Sequence, residues 1–274
     1  MHPLNKKVKF MKDSIDFGSM EIPKLFRKLL IPTVLGMVFS AVFVITDGIF
    51  VGQGIGSDAL AAVNITAPLF LISTGIGLMF GVGASVVASI HLSQGKLKAA
   101  RINVTQAVVV SSLFLAVLWG VVCLFAPQVA VWLGSSERLL PLAVEYMYWF
   151  LPFLVFSALL SSGMFFVRLD GSPNYAMLCN AIPVSGEYPI GLCVIFILEM
   201  GNWMGAALAT SLGYILGAGM IVVYLSRRRN VIHFCRVKLS KKSMRLTWRN
   251  VKYMCHLGVS TFLCEAAIAC MMFA

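Results

Sequence analysis

Seven long apolar stretches dominate this sequence and restrict what it can fold into. They lie at residues 29–51, 60–90, 106–126, 145–167, 176–198, 203–225 and 253–274. A helix needs about 20 predominantly apolar residues to cross a bilayer, and every stretch reaches that length. In a chain of 274 residues that is 59% hydrophobic and 12% charged, too little polar surface remains to cover a soluble globule. The sequence therefore predicts an integral membrane protein in contact with the lipid bilayer.

The spans are predicted to be helices, so the expected fold class is all-α and polytopic. Only helices and closed barrels satisfy their backbone in lipid, and these stretches lack the alternation of barrel strands. Short loops join the first six spans, and the longest hydrophilic stretch precedes the seventh. We expect four units. Residues 1–28 are a basic N-terminus, and residues 29–225 form a six-helix lobe. Residues 226–252 are a basic linker, and residues 253–274 start a seventh helix that would open a truncated second lobe.

The distribution of charge predicts the orientation of the chain. It carries 22 Lys and Arg against 11 Asp and Glu. The basic residues precede span one or follow even-numbered spans, with ten of them between Arg227 and Lys252, and only Arg138 lies in an alternate loop. The positive-inside rule then places the N-terminus and the basic loops in the cytoplasm. Because this pattern is typical of charge beside anionic lipid, no nucleic-acid partner is expected.

Signals for an enzyme are missing from the sequence. The seven cysteines form no C-x-x-C pair, and neither H-E-x-x-H nor G-x-S-x-G occurs. We therefore predict no catalytic residues, no zinc site, no disulfides and no cofactor. Span two instead carries small residues at four-residue steps, at Gly77, Gly81, Ser85 and Ser89, and span six repeats the theme at Gly213 and Gly217. Such stripes predict faces on which helices pack closely.

Asp47 is the one charged residue in the apolar run 29–51. A carboxylate inside a membrane helix costs about 3 kcal/mol or more, so it indicates an ion or substrate site. Three small or polar residues precede it on the same helix face: Thr33, Gly36 and Ser40. Counted from Pro32, Asp47 lies about 22 Å along the helix, in the outer half of the bilayer. The alternatives are an interfacial aspartate that reaches water and one that caps a neighbouring helix.

Two further acids lie inside predicted spans. Glu187 in span five is surrounded by helix-breaking residues, at Pro183, Gly186, Pro189 and Gly191. A helix interrupted in this way exposes backbone carbonyls that transporters use around an ion, and Asn180 lies one heptad earlier on the same face. The alternative is a kink that lets Glu187 reach an aqueous vestibule. Glu265 lies near the middle of span seven.

These residues resemble the multidrug and toxic compound extrusion (MATE) transporters. The best match runs from Asp47-Gly48-Ile49-Phe50-Val51-Gly52 through Gly56 to Asn64 and on to Pro68. Further matches are Gly95-Lys96 with Ala99-Ala100-Arg101, and Arg168 to Tyr175 with Gly205 to Thr210. The resemblance implies the N-terminal lobe and the beginning of helix seven of a twelve-helix antiporter in the bacterial inner membrane. Such a protein exports small organic cations in exchange for Na⁺ or H⁺, and the C-terminal lobe would be the missing partner.

The resemblance also implies site residues. Asp47 falls on the helix-one acid of the ion-coupling network and would bind Na⁺ in a Na⁺-coupled member. Thr210 falls on a threonine of that network, Ser40 lies on the cavity face, and Glu265 resembles a helix-seven acid. Helix five departs from the family pattern Asn-x-x-x-Asp, because Glu187 stands at the Asn and Gly191 at the Asp. The coupling ion therefore stays open.

Two other functions are compatible with parts of this sequence. A truncated chain could be a membrane scaffold or remnant that transports nothing, because one lobe cannot alternate against a missing partner. A flippase of lipid-linked precursors, from the same superfamily, would need several basic residues in its cavity to hold a pyrophosphate. The seven spans contain no Lys or Arg, which favours the exporter of cations.

Overall fold

The computed structural model describes residues 21–54, 57–181, 202–235 and 241–272, and all regular structure in these ranges is helical. The predicted all-α fold class is confirmed. The helices are α1 (Ile22–Gly54), α2 (Ser57–Ser93), α3 (Leu97–Leu124), α4 (Ala126–Trp132), α5 (Leu140–Phe150), α6 (Leu154–Leu169), α7 (residues 173–181), α8 (Asn202–Ser226) and α9 (Lys241–Met271). A short 3₁₀ turn, Leu151–Phe153, joins α5 to α6.

Four described segments are long and apolar enough to cross a membrane, which makes this a multi-pass membrane protein. They are Ala61–Ser93, Leu97–Leu124, Leu140–Leu169 and Arg245–Met271, and they correspond to predicted spans two, three, four and seven. Span one falls within the single 33-residue helix α1. Span six, residues 203–225, falls within the single 25-residue helix α8. Most of span five, residues 182–198, lies outside the described residues.

The helices and the apolar stretches have different ends. Helix α9 begins at Lys241, so its first turns occupy the segment expected to be a linker. Hydropathy locates the lipid-embedded part of a helix, whereas the helix itself continues into the polar interface. Span four is interrupted by the 3₁₀ turn at Pro152, which has no N–H to donate to the preceding turn.

Helix α2 lies at the centre of the bundle and contacts α6 through the predicted small-residue face. A Cβ atom added to Gly77 would lie 2.7 Å from the Cα of Ala158, and one added to Gly81 would lie 2.7 Å from the Cα of Ser162. These two glycines therefore allow the helix backbones to touch. The second half of the stripe does not extend this contact, since Ser85 is half-buried and Ser89 is exposed.

Helix α9 runs antiparallel to α2 along another line of glycines. A Cβ at Gly83 would collide with the backbone carbonyl of Met254, and one at Gly258 would collide with that of Met79. Further along, a Cβ at Gly75 would lie 2.9 Å from the Cβ of Glu265. The two helices are thus in backbone contact over more than two turns.

The basic loops meet at one end of the bundle. The Arg101 Nε donates a hydrogen bond to the Val231 carbonyl (2.8 Å), and the Cys235 N–H donates to Thr105 Oγ1 (3.1 Å), so the segment after α8 rests on the start of α3. At the opposite end, Arg138 pairs with Asp58 at 2.5 Å. Alternate loops therefore lie at opposite ends, as the charge distribution predicts.

Candidate functional site

The bundle-facing side of α1 begins as the sequence predicts. Gly36 is buried and lies against α7, where an added Cβ would be 3.7 Å from the Asn180 Nδ2. Thr33, one turn earlier, is half-buried and donates a hydrogen bond to the Leu29 carbonyl at 2.8 Å. Intervening residues such as Val34 and Met37 are exposed. One face of α1 is therefore directed at the bundle, and Asn180 is part of what it meets.

Asp47 and Ser40 belong to the same continuous helix as Gly36. Ser40 follows Gly36 by one turn and Asp47 follows it by about three turns, so the backbone positions of all three share a face. Because α1 is unbroken from Ile22 to Gly54, this register is fixed by helix geometry. The polar stripe predicted from spacing thus starts at the α1–α7 contact and leads towards Asp47.

Thr210 lies buried on α8, with a side chain that is 9% exposed. One turn later, the Tyr214 ring stacks on Phe70 of α2, with centroids 5.8 Å apart. Phe70 in turn lies 6.4 Å from Phe150 at the end of α5. Sequence reasoning did not single out these rings, because an aromatic residue in an apolar span is ordinarily part of the core. Half-buried rings beside a polar position can also contact a bound organic cation.

Glu265 is half-buried on the face of α9 that meets α2. Gly75 provides the space for its stem, and Phe262 lies on the same side of the contact. In the described ranges, neither of the two ion pairs involves Glu265. The predicted acid of span seven is therefore located between two helices rather than on the lipid-facing side.

The remaining predicted residues lie outside the described part of the chain. These are Glu187 and the helix-breaking residues around it, at Pro183, Gly186, Pro189 and Gly191. The structure brings Gly36 to Asn180 and Gly75 to Glu265, while the proposed roles of Asp47, Ser40, Asn180, Thr210, Glu187 and Glu265 stay predictions.

A buried carboxylate at the basic end was missed by the sequence reasoning. Asp170, 7% exposed at the end of α6, accepts hydrogen bonds from the Tyr224 hydroxyl and from the Ile232 N–H, both at 2.7 Å. The Tyr224 hydroxyl also lies 2.8 Å from Ser172 Oγ. One side chain therefore joins α6, α8 and the segment after α8. The only sequence signal was an aspartate at a helix end, which is common in loops.

A second missed feature is a set of amide and hydroxyl side chains between α3 and α9, here called the α3–α9 polar contact. Gln106 Nε2 donates to Thr247 Oγ1 at 2.8 Å. Asn250 Nδ2 lies 3.1 Å from Asn103 Oδ1 and 3.2 Å from Gln106 Oε1. Both α3 residues are buried, so these bonds satisfy groups that would otherwise be costly in an apolar interior.

A bundle of membrane-length helices, packed through glycines and with Glu265 on an interior face, defines a multi-pass helical membrane protein. The MatE family profile matches residues 32–193, more than half of the sequence, and the chain belongs to this family. The resemblance drawn from the motif at Asp47 is thereby confirmed.

Relatives and a solved structure agree with this assignment. The chain is 25% identical to a FAD transporter from Shewanella oneidensis over 89% of its own length and 54% of that protein. It is also 25% identical to the multidrug export protein MepA of Staphylococcus aureus strain RF122, over 90% of this chain and 53% of that protein. A crystal structure of a MATE in complex with MaD3S has the same fold, with a TM-score of 0.77 at 23% identity, covering 92% of this chain and 55% of that one. The chain spans about half the length of the curated relatives it matches, and these relatives are named as transporters rather than enzymes.

Proposed function

We propose that this chain forms about half of a secondary antiporter that exports small organic cations in exchange for Na⁺ or H⁺. The observation that carries the proposal is Asp47, a lone acid within the first membrane helix of a MatE-family chain. The cost of placing a carboxylate in lipid is offset when it binds a cation or a proton during a transport cycle. The name of one relative, the multidrug export protein MepA, supports export of drug-like compounds.

The sign of the intramembrane charge favours cationic substrates. The spans contain Asp47, Glu187 and Glu265, with Glu145 at the first position of span four, but no Lys or Arg. Another relative is named as a transporter of FAD, whose phosphates are anionic, and a cavity for such a ligand would be expected to carry basic side chains. The same argument disfavours a lipid-linked pyrophosphate. The half-buried rings of Phe70 and Tyr214 would suit an organic cation better than an anion.

In the proposed cycle, ionised Asp47 holds the organic cation. When the carboxylate is protonated or binds Na⁺, its affinity for the substrate falls and the substrate leaves towards the outside. The two lobes rock about the site between these states. The close approach of α1 to Asn180 at Gly36 supports α1 and α7 as two walls of one cavity.

The test is efflux of ethidium from cells that express the whole gene, measured with and without a Na⁺ gradient. We expect Asp47→Asn to abolish gradient-driven efflux while the protein still inserts into the membrane. Asp58→Asn is the matched control, since this acid lies at the end of the bundle beside Arg138 and is only half-buried. Unchanged efflux in the Asp47→Asn protein would contradict the proposal.

A membrane scaffold that transports nothing is the second candidate, since the chain spans about half the length of the relatives that are named as transporters. It predicts a membrane-inserted protein that gives no efflux of any substrate, with or without Asp47. Efflux by the wild-type protein that Asp47→Asn removes would exclude it.

A further inference from the structure

The segment after α8 belongs to the predicted hydrophilic linker, yet it is docked on the helix bundle. Residues 227–229 are exposed, but Ile232 is fully buried and Phe234 packs against the same cluster of buried residues. This cluster includes residues of α2, α3, α6, α7 and α8. Two apolar side chains of an irregular segment are therefore inserted among these helices. We call residues 230–235 the α8–α9 strap.

Hydrogen bonds hold the backbone of the strap on α6 and α8. The Ile232 N–H donates to the buried carboxylate of Asp170, at the end of α6, at 2.7 Å. The Phe234 N–H donates to the Leu225 carbonyl near the end of α8 at 2.8 Å. A buried backbone group without a partner is costly, and Ile232 lies in no helix or strand. Burial of Ile232 therefore depends on the side chain of Asp170.

The strap and α9 are docked on opposite sides of the same part of α3. Arg101 and Thr105, one turn apart on α3, bond to the backbone of the strap at 2.8 and 3.1 Å. Asn103 and Gln106 lie on the other side of the helix and take part in the α3–α9 polar contact. In the chain, residues 236–240 separate the strap from α9. Two segments that are close in sequence are thus held by one helix.

Docking of the strap should strengthen docking of α9. Two linked segments that bind one helix raise each other's effective concentration, and the increase is larger when the link is short. With the strap docked, the link to α9 is residues 236–240; with the strap released, it is residues 227–240. The free energy of loop closure rises as about 3/2 RT ln n for a link of n residues, so release of the strap should favour separation of α9 from α3 by about fivefold.

We propose that the α8–α9 strap is a positioning device that keeps the start of α9 on α3, with Asp170 as its anchoring residue. In the proposed transport cycle the two lobes rock, so the helices that follow the first six must move relative to them. A docked strap favours the arrangement in which the α3–α9 polar contact is closed. This consequence for transport rests on the proposed function, whereas the effect of the strap on α9 does not. A linker that is only a tether would have no such effect.

The test is the rate at which a maleimide labels a single cysteine at position 254 of α9. Met254 is fully buried, and its backbone meets Gly83 of α2. The reporter is Met254→Cys in the whole protein, with the other cysteines replaced, in detergent without substrate or ion gradient. When local opening is fast, the labelling rate is proportional to the fraction of molecules in which α9 is open. Release of the strap by Asp170→Ala with Ile232→Ala should raise the rate about fivefold.

A second variant lengthens the link and leaves the strap intact. Insertion of about nine Gly and Ser residues between Cys235 and Lys241 gives the link the length it has after release of the strap, so the rate should again rise about fivefold. Leu115→Ala controls for a general loss of stability, because Leu115 is fully buried on α3 in a different cluster, and it should leave the rate unchanged.

A labelling rate that the insertion leaves unchanged would overturn the proposal, whatever the strap-released variant does. An equal rise in the Leu115→Ala protein would also overturn it, because the opening would then follow stability alone. The insertion decides the matter if the strap-released variant fails to fold. Since no transport is measured, the result is independent of whether Asp47→Asn abolishes efflux.

Discussion

Asp170 is the residue whose importance depends most on tertiary contacts. Its carboxylate accepts bonds from a tyrosine hydroxyl on α8 and from a backbone N–H beyond that helix. Its local sequence, Arg168 to Tyr175, is part of a family match but gives no sign that this carboxylate is buried. Asp47, by contrast, is recognisable from the sequence alone because it interrupts an apolar run. A residue can be singled out from the sequence when its own environment is anomalous, but not when the contacts that matter are distant in the chain.

Removal of the Asp170 carboxylate should destabilise the protein. Asp170→Ala would leave the Ile232 N–H without its acceptor and the Tyr224 hydroxyl with only Ser172 Oγ, at a cost of about 2 kcal/mol in the free energy of unfolding. Asp170→Asn keeps one acceptor oxygen and should cost about 1 kcal/mol. Denaturant unfolding in detergent measures both. Equal stability of the alanine variant and the wild-type protein would mean that the contact contributes nothing.

At the scale of the elements, the apolar stretches predicted where helices cross the membrane but not how they pair. The stripe at Gly77 and Gly81 correctly indicated a packing face, which proved to meet α6. The face of α2 that meets α9 was not recognised, because Gly75 and Gly83 are separated by Met79 and form no continuous stripe of small residues. Their role requires Gly258 on a helix far along the sequence.

Alanine substitution separates glycines that are needed for packing from those that are not. Gly83→Ala would place a methyl group against the Met254 carbonyl and should destabilise the protein by about 1–3 kcal/mol. Gly120→Ala on α3 is the control, because a Cβ there meets nothing within 4 Å. It should be neutral or stabilising by up to about 1 kcal/mol through helix propensity. Thermal unfolding in detergent compares the two, and equal effects would contradict the close α2–α9 approach.

The α3–α9 polar contact should give a measurable coupling energy. In a double-mutant cycle of Gln106→Leu with Thr247→Val, we expect a coupling of about 1 kcal/mol, the range found for hydrogen bonds between membrane helices. Asn103 and Asn250 stay in place, so α9 keeps a second attachment to α3. Additive effects on the unfolding free energy would mean that the 2.8 Å bond does not hold the helices together.

At the scale of the whole molecule, the loops are divided between two ends of the bundle that differ in charge. The loops after α2, α6 and α8 lie at one end of the bundle. They carry most of the basic residues that belong neither to the N-terminus nor to the start of α9. The Asp58–Arg138 pair lies at the other end. The start of α9 at Lys241 could not be predicted in this way, because hydropathy does not indicate whether a helix continues beyond the membrane into water. Charge bias orients loops, but only tertiary contacts show where they rest.

The orientation can be tested with single cysteines in a cysteine-free background. Ser136→Cys lies in the exposed loop beside Arg138, and Arg229→Cys lies in the exposed basic segment after α8. Because basic loops are retained in the cytoplasm, a membrane-impermeant maleimide should label position 136 in intact cells and position 229 only after permeabilisation. The reverse labelling would show that the chain has the opposite orientation, with Asp47 near the cytoplasm. Outward release of the substrate requires Asp47 in the outer half of the bilayer. The reverse labelling would therefore also contradict the proposed direction of transport.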